Sequence, residues 1–375
     1  MSSFNLAQIV PSLDSGGVER GTVDVANFLS TKKLSNHIIS NGGSLIQEIN
    51  KRYTSHCLLP VNTKNFFLYP IIANQIANYI KLNNINIVHV RSRAPAWITS
   101  LISKRNIKTV STFHNVYGGD FFLKKIYNSR MANVNHIIAI SNYVKNQITK
   151  KYNLDPEKIT VINRGVDTDF FNDDVQEHKK QMFLKEYNIT KEKKIILYPG
   201  RITEWKGQMN FLNYIENLNV KGFVVLFVGT TINKSHTNLL QKSIKDKNLI
   251  DKCRIIGKLK YNQLKIAYSV SDLVLSLPNR SEGFGRTISE TLSMEKIILA
   301  RNTGGAFNQL ERLDNVFKID DNELVNLNER IKYILELSKE DKKNIVEKAR
   351  KHIIDNFSLN NMVTNYFNFY EKISF

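Results

Sequence analysis

Short apolar runs recur along the whole 375-residue chain, each separated from the next by a longer segment of helical periodicity. They fall at 4–10, 37–40, 56–59, 87–90, 109–113, 137–140 and 159–162, and again at 195–199, 224–228, 254–256, 273–277, 297–300 and 316–318. The runs are near-continuous Ile, Val and Leu. A strand with one wet face alternates apolar and polar residues, whereas a strand covered on both faces does not need to. The pattern therefore predicts an α/β chain with parallel sheets between layers of helices. The two series are separated by a polar stretch containing Asp173-Asp174 and Glu177-His178-Lys179-Lys180. This predicts an N-terminal domain over 1–170, a linker over 171–190 and a second domain over 191–355. Residues 356–375 read as a last helix opened by a cap at Ser358.

Composition narrows the class. With 42% hydrophobic and 10% aromatic residues, the chain can bury two cores and is no disordered tail. Cys57 and Cys253 are far apart and match no metal spacing, which points to a reducing compartment, the cytoplasm. Residues 4–10 read as a first strand and not as an export signal. The apolar stretch at 66–80 is broken by Pro70, Asn74 and Asn78, so no membrane span is expected. The net charge is +19, and residues 1–165 hold 20 Lys/Arg against 7 Asp/Glu. A basic first half suits phosphorylated substrates, anionic lipid or nucleic acid.

Chemistry is expected at the C-terminal ends of the strands, where open α/β sheets bind ligands. After the run at 273–277 comes Ser281-Glu282-Gly283-Phe284-Gly285-Arg286-Thr287-Ile288-Ser289-Glu290. It places two carboxylates eight positions apart around a Gly-x-Gly turn and a helix start, whose backbone N–H groups favour an anion. After the run at 195–199 comes Gly200-Arg201-Ile202-Thr203-Glu204-Trp205-Lys206-Gly207, with two cations at the mouth of the second sheet. Cations so placed suit a diphosphate, and would stabilise charge on a departing one. In the first half, Ser15-Gly16-Gly17 follows the first strand, and His114 ends the strand at 109–113. Arg91 and Arg93 end the strand before it and could contact an anionic acceptor. Asp167-Thr168-Asp169 has the form of a divalent-cation motif but lies at the crossover between the two series. It reads as a turn with capping carboxylates, and no metal is expected.

In order and spacing these segments resemble the retaining glycosyltransferases of family 4, which have the GT-B fold. The resemblance runs from Gly16-Gly17 and His114 through Val161-Ile162-Asn163-Arg164-Gly165-Val166-Asp167, Gly200-Arg201 with Lys206-Gly207, and Glu282 with Glu290, to Thr303-Gly304-Gly305. It implies two Rossmann-like domains facing across a cleft, the first on the acceptor side and the second holding the nucleotide sugar. The last helix crosses back to the first domain. By position, Glu290 is expected on the ribose of a UDP- or GDP-sugar. Arg201 and Lys206 are expected on its diphosphate, helped by the Gly16–Gly17 backbone. Glu282, with the Gly283, Phe284 and Gly285 turn, is expected on the donor sugar, and His114 near the reacting carbon. The catalytic set is then His114, Arg201, Lys206 and Glu282, with no cofactor beyond the nucleotide sugar. At the crossover, Asn163-Arg164 replaces the more usual Pro-Asn, which puts a standard role for that Asn in doubt.

Paired glutamates invite a hydrolase reading, with one acid and one base or nucleophile. Here both lie in the second domain and one is assigned to ribose, so transfer by front-side displacement is expected instead. For the acceptor, Phe121-Phe122-Leu123-Lys124-Lys125-Ile126-Tyr127 combines aromatics with cations, as a helix resting on an anionic membrane would. Together with the basic first half, this points to a glycan or lipid-linked acceptor in lipopolysaccharide core or surface polysaccharide synthesis. It also suggests peripheral attachment at the cytoplasmic face of the inner membrane. A nucleotide-sugar epimerase or a glycan phosphorylase of the same fold is the alternative. A basic nucleic-acid-binding protein is more remote, because no recognition motif is present.

Overall fold

The computed structural model describes residues 4–14, 16–103, 106–118, 122–231 and 234–374. Among these, thirteen strands form two parallel sheets. The first sheet holds β1 (Leu6–Ile9), β2 (Asn36–Ser40), β3 (Thr54–Leu58), β4 (Ile87–Val90), β5 (Lys108–Phe113), β6 (His136–Ala139) and β7 (Ile159–Val161). The second holds β8 (Lys194–Pro199), β9 (Phe223–Val228), β10 (Cys253–Gly257), β11 (Leu273–Ser276), β12 (Ile298–Arg301) and β13 (Lys318–Ile319). Every apolar run expected as a strand contains or overlaps one. Central strands such as β1, β2 and β9 are buried along their full length, which is why their sequences do not alternate.

The chain divides into two compact units, Met1–Gly165 with Leu359–Phe375, and Val166–Ser358. In the first, the strand order is β3-β2-β1-β4-β5-β6-β7; in the second it is β10-β9-β8-β11-β12-β13. Both place the first strand of the unit in the interior of the sheet and reverse direction beside it, the doubly wound arrangement. The reversal lies between β1 and β4 in one unit and between β8 and β11 in the other. The loops leaving those strands lie at the sheet's C-terminal edge, where open α/β sheets bind ligands.

The last helix, Leu359–Ser374, packs on the first sheet. Its Met362, Val363, Tyr366, Phe369, Tyr370 and Ile373 share a core with Phe4, Leu6, Val25, Leu29, Ile87, Val110 and Ile138. The segment 171–190, expected as a linker, lies inside the second unit. Phe183 of its helix Glu177–Glu186 is buried, and just before that helix Phe170 stacks on Tyr261 while Phe171 meets it edge-on. A polar surface with one buried aromatic stripe looks like a linker in sequence, and tertiary packing makes it part of a domain. The Asp167 carboxylate accepts from the amides of Asp169 and Phe170 at 3.2 and 2.9 Å, closing the expected turn.

Candidate functional site

In the second unit the loops after β8, β11 and β12 meet at the reversal point. Tyr198, at the end of β8, is fully buried and donates its hydroxyl to the carbonyls of Lys206 (2.8 Å) and Leu277 (3.3 Å). Burial pushes its phenol far above the ordinary range, so it remains a donor. Asn279 ties the same loops from outside: its amide donates to the Trp205 carbonyl at 2.7 Å and its side chain to the Glu204 carbonyl at 2.9 Å. Gly207 sits at φ +82°, and a β-carbon there would lie 2.0 Å from the Leu277 carbonyl oxygen. Only glycine fits this left-handed, backbone-to-backbone crossing.

That clamp brings two expected residues together. Lys206 Nζ pairs with Glu282 Oε1, although 76 positions separate them. Both side chains are largely buried, at 15% and 16% exposure, so each charge depends on the other for its solvation. The Lys206 ammonium also lies 4.8 Å from the Trp205 ring. Arg201 is exposed at the same edge, its guanidinium 5.8 Å from that ring. A ligand phosphate could therefore meet two cations on one loop.

The Glu282–Gly285 turn is held from behind. The Gly305 amide donates to the Glu282 carbonyl at 2.8 Å, Ser281 and Thr303 hydroxyls bond at 2.7 Å, and Gln309 Nε2 donates to the Phe284 carbonyl at 2.6 Å. Phe284 is buried, and Gly285 begins the helix Arg286–Ser293. Glu290, 7% exposed, has both oxygens engaged: Oε2 accepts from the Tyr268 hydroxyl at 2.9 Å, and Oε1 pairs with Arg286 Nη2 at 2.8 Å. Burial, then the Glu290 charge, pushes the Tyr268 phenol well above its ordinary value, which keeps it a donor. Tyr268 gave no signal in the sequence, where it reads as one more aromatic on an amphipathic helix. Gln309 was equally silent.

In the first unit Gly16 precedes the helix Gly17–Thr31, and the Glu19 carboxylate lies where a Gly16 side chain would stand. Ser15 of this loop lies outside the described residues. His114, at the end of β5, accepts from Arg164 Nη2 at its Nδ1 (3.0 Å), and Arg164 Nη1 donates to the Gly17 carbonyl. One guanidinium thus joins the loop after β1 to the end of β5. The Arg164 substitution at the crossover was the available sequence signal. His114 Nε2 is buried with no hydrogen-bond partner among the described residues. Burial, and then the charges of Arg164 and Arg91, hold this imidazole well below the usual histidine range.

Arg91 departs from expectation. It is 2% exposed, donates from Nε to Gln8 Oε1 at 2.8 Å, and lies 5.0 Å from the Tyr366 ring of the last helix. Its place at the end of β4 suggested an acceptor contact, but the last helix covers it. Arg93 is partly buried, bonded to Asn128 Oδ1 at 3.2 Å and 4.7 Å from the Tyr117 ring.

Two family models match the chain in sequence, Glycosyltransferase Family 4 over residues 15–170 and Glycosyl transferases group 1 over 179–352. The crystal structure of a glycosyltransferase from Rickettsia africae is 36% identical, covers 100% of this chain and 99% of that one, and superposes with a TM-score of 0.88. Anabaena HepE, solved with UDP and glucose, is 15% identical over 97% of this chain and 98% of its own, with a TM-score of 0.82, and shares the fold. The Salmonella typhimurium O-antigen chain mannosyltransferase RfbU is 28% identical over 183 residues, 47% of this chain and 46% of RfbU. That match spans about half the length of the curated relative. With its two doubly wound parallel sheets, the chain belongs to the glycosyltransferases of the GT-B fold.

Proposed function

We propose that this chain is a retaining, metal-independent hexosyltransferase. It moves a hexose from a UDP- or GDP-sugar to a glycan or lipid-linked acceptor in lipopolysaccharide core or surface polysaccharide synthesis. The observation that carries this reading is the Lys206–Glu282 pair at the reversal point of the second sheet, with Arg201 on the same loop. The UDP and glucose bound by HepE and the O-antigen chain named for RfbU support the donor class and the pathway.

In this mechanism the acceptor hydroxyl oxygen attacks the anomeric carbon from the face that the diphosphate leaves. The bond from that carbon to the diphosphate oxygen breaks, its electron pair stays with the diphosphate, and the diphosphate takes the acceptor's proton. Arg201 and Lys206 stabilise the charge that builds there. Glu282, released from Lys206 as the diphosphate arrives, orients the sugar hydroxyls beside the Gly283–Gly285 turn. Glu290 receives the ribose through Oε1 once Arg286 shares it, while Tyr268 keeps Oε2.

Arg201→Ala tests the assignment. Losing one preorganised donor to developing charge lowers turnover roughly 10²–10³-fold. The exposed side chain should leave stability within about 0.5 kcal/mol of wild type. Near-normal transfer by this variant sinks the assignment. Product analysis with a labelled donor separates transfer from epimerisation and phosphorolysis.

A lipid-linked acceptor at the membrane surface is supported by one exposed face of the first unit. The helix Phe122–Ser129 exposes Phe122, Leu123, Lys124 and Lys125; Phe121, included in the sequence expectation, lies outside the described residues. The Phe66 ring lies 6.1 Å from Tyr127 of that helix, and neighbouring Phe67 is 90% exposed. Among the described residues no helix is long and apolar enough to cross a membrane. Peripheral contact therefore rests on these rings and lysines. Flotation with anionic liposomes should show salt-sensitive binding, and no binding at low salt rejects it.

A further inference from the structure

Arg164 has no place in the mechanism above, yet its guanidinium joins two functional segments. It donates to the Gly17 carbonyl and to His114 Nδ1, the latter at 3.0 Å. A guanidinium has no acceptor and does not lose its proton in a protein, so its partner nitrogen must offer a lone pair. His114 Nδ1 is therefore bare, and the proton of the neutral ring must sit on Nε2. That Nε2 is buried and finds no partner among the described residues. A buried donor left unsatisfied is destabilising, and an acceptor oxygen on a ligand would relieve it. The charged and titratable groups facing the ring are Arg164 from the crossover and Arg91 and His89 from β4, and together with burial they oppose an imidazolium.

We propose that Arg164 is a positioning residue that fixes His114 as the Nε2–H tautomer. His114 Nε2 then offers a ligand oxygen a hydrogen-bond donor and not a proton acceptor. The identity of the ligand rests on the function proposed above, whereas the tautomer belongs to the free protein.

The test is a long-range proton–nitrogen correlation spectrum of the full chain labelled in its histidines, at pH 7 without ligand, with His114 assigned by comparison with His114→Gln. The expected result is a protonated Nε2 and an unprotonated Nδ1. A proton on Nδ1, or an imidazolium, overturns the proposal from wild type alone. In Arg164→Met a second, Nδ1–H signal should appear, and turnover should fall roughly tenfold, the worth of one misplaced hydrogen bond of about 1.4 kcal/mol. Arg164→Lys, which keeps a cationic donor, should restore part of both. An unchanged tautomer in Arg164→Met also overturns it. Because the spectrum needs no substrate, the tautomer can fail while sugar transfer stands, and sugar transfer can fail while the tautomer stands.

Discussion

Replacing Gly305 by alanine probes the backbone contact that sets the height of the Glu282–Gly285 turn. A β-carbon at 305 would lie 2.3 Å from the Gly283 carbonyl oxygen, 2.6 Å from the Gly283 carbonyl carbon and 2.5 Å from Phe284 Cα. Ordinary contact begins near 3.4 Å, so the two loops must part by about 1 Å. All three atoms are backbone, and no side-chain rotation relieves them. The turn cannot simply retreat, because Gln309 holds the Phe284 carbonyl at 2.6 Å. Overpacking of this kind costs about 1–3 kcal/mol. In a unit the size of residues 166–358 each kcal/mol lowers the melting midpoint by roughly 2–4 °C. A displacement of about 1 Å at Glu282 costs roughly 10²-fold in turnover, or about 2.7 kcal/mol of barrier. Scanning calorimetry, donor-binding calorimetry and steady-state transfer read the three effects. Gly118→Ala is the control, since a β-carbon there meets nothing within 4 Å among the described residues. A Gly305→Ala protein with the wild-type midpoint and donor affinity refutes the packing argument.

Other perturbations address separate links. Tyr268→Phe removes the hydroxyl that Glu290 Oε2 accepts, and a hydrogen bond to a buried charge contributes about 1.5–3 kcal/mol; urea unfolding should shift by that amount, and no shift refutes the clamp. His89 is fully buried between the Tyr370 hydroxyl (2.6 Å) and the Thr112 hydroxyl (2.7 Å), and burial holds its imidazole well below 6.5. The unfolded chain then binds the extra proton, so the His89 contribution is present above about pH 6.5 and is lost as pH falls below it. Stability of wild type should decline with acid more steeply than that of His89→Gln, by up to about 1.4 kcal/mol per pH unit; parallel slopes between pH 7 and 5 would contradict this.

The fold was legible because burial on both faces leaves its mark in each strand locally. Runs such as 224–228 needed no partner to be recognised, and the observed β9 extends that run by one residue. Arg201, Lys206 and Glu282 stood out as candidates because strand ends and glycine turns are where a ligand can sit. Their pairing was not, since nothing local states that β8 and β11 are neighbours with the reversal between them. Glu290 was expected on a ribose; its two oxygens are held by Arg286 and by Tyr268 on another helix, contacts the sequence did not signal.

By itself, then, the sequence determined the strands, their parallel class, the two-part organisation and the turns that carry charge, all properties written within a few residues of each other. Tertiary structure decided which charges meet and which are buried. It turned Arg91 inward under the last helix, drew the 171–190 stretch into the second unit, and set Arg164 against His114. These outcomes depend on contacts between segments far apart in the chain. A buried charge or a fixed tautomer is a property of the neighbours, and those neighbours exist only once the sheets have formed.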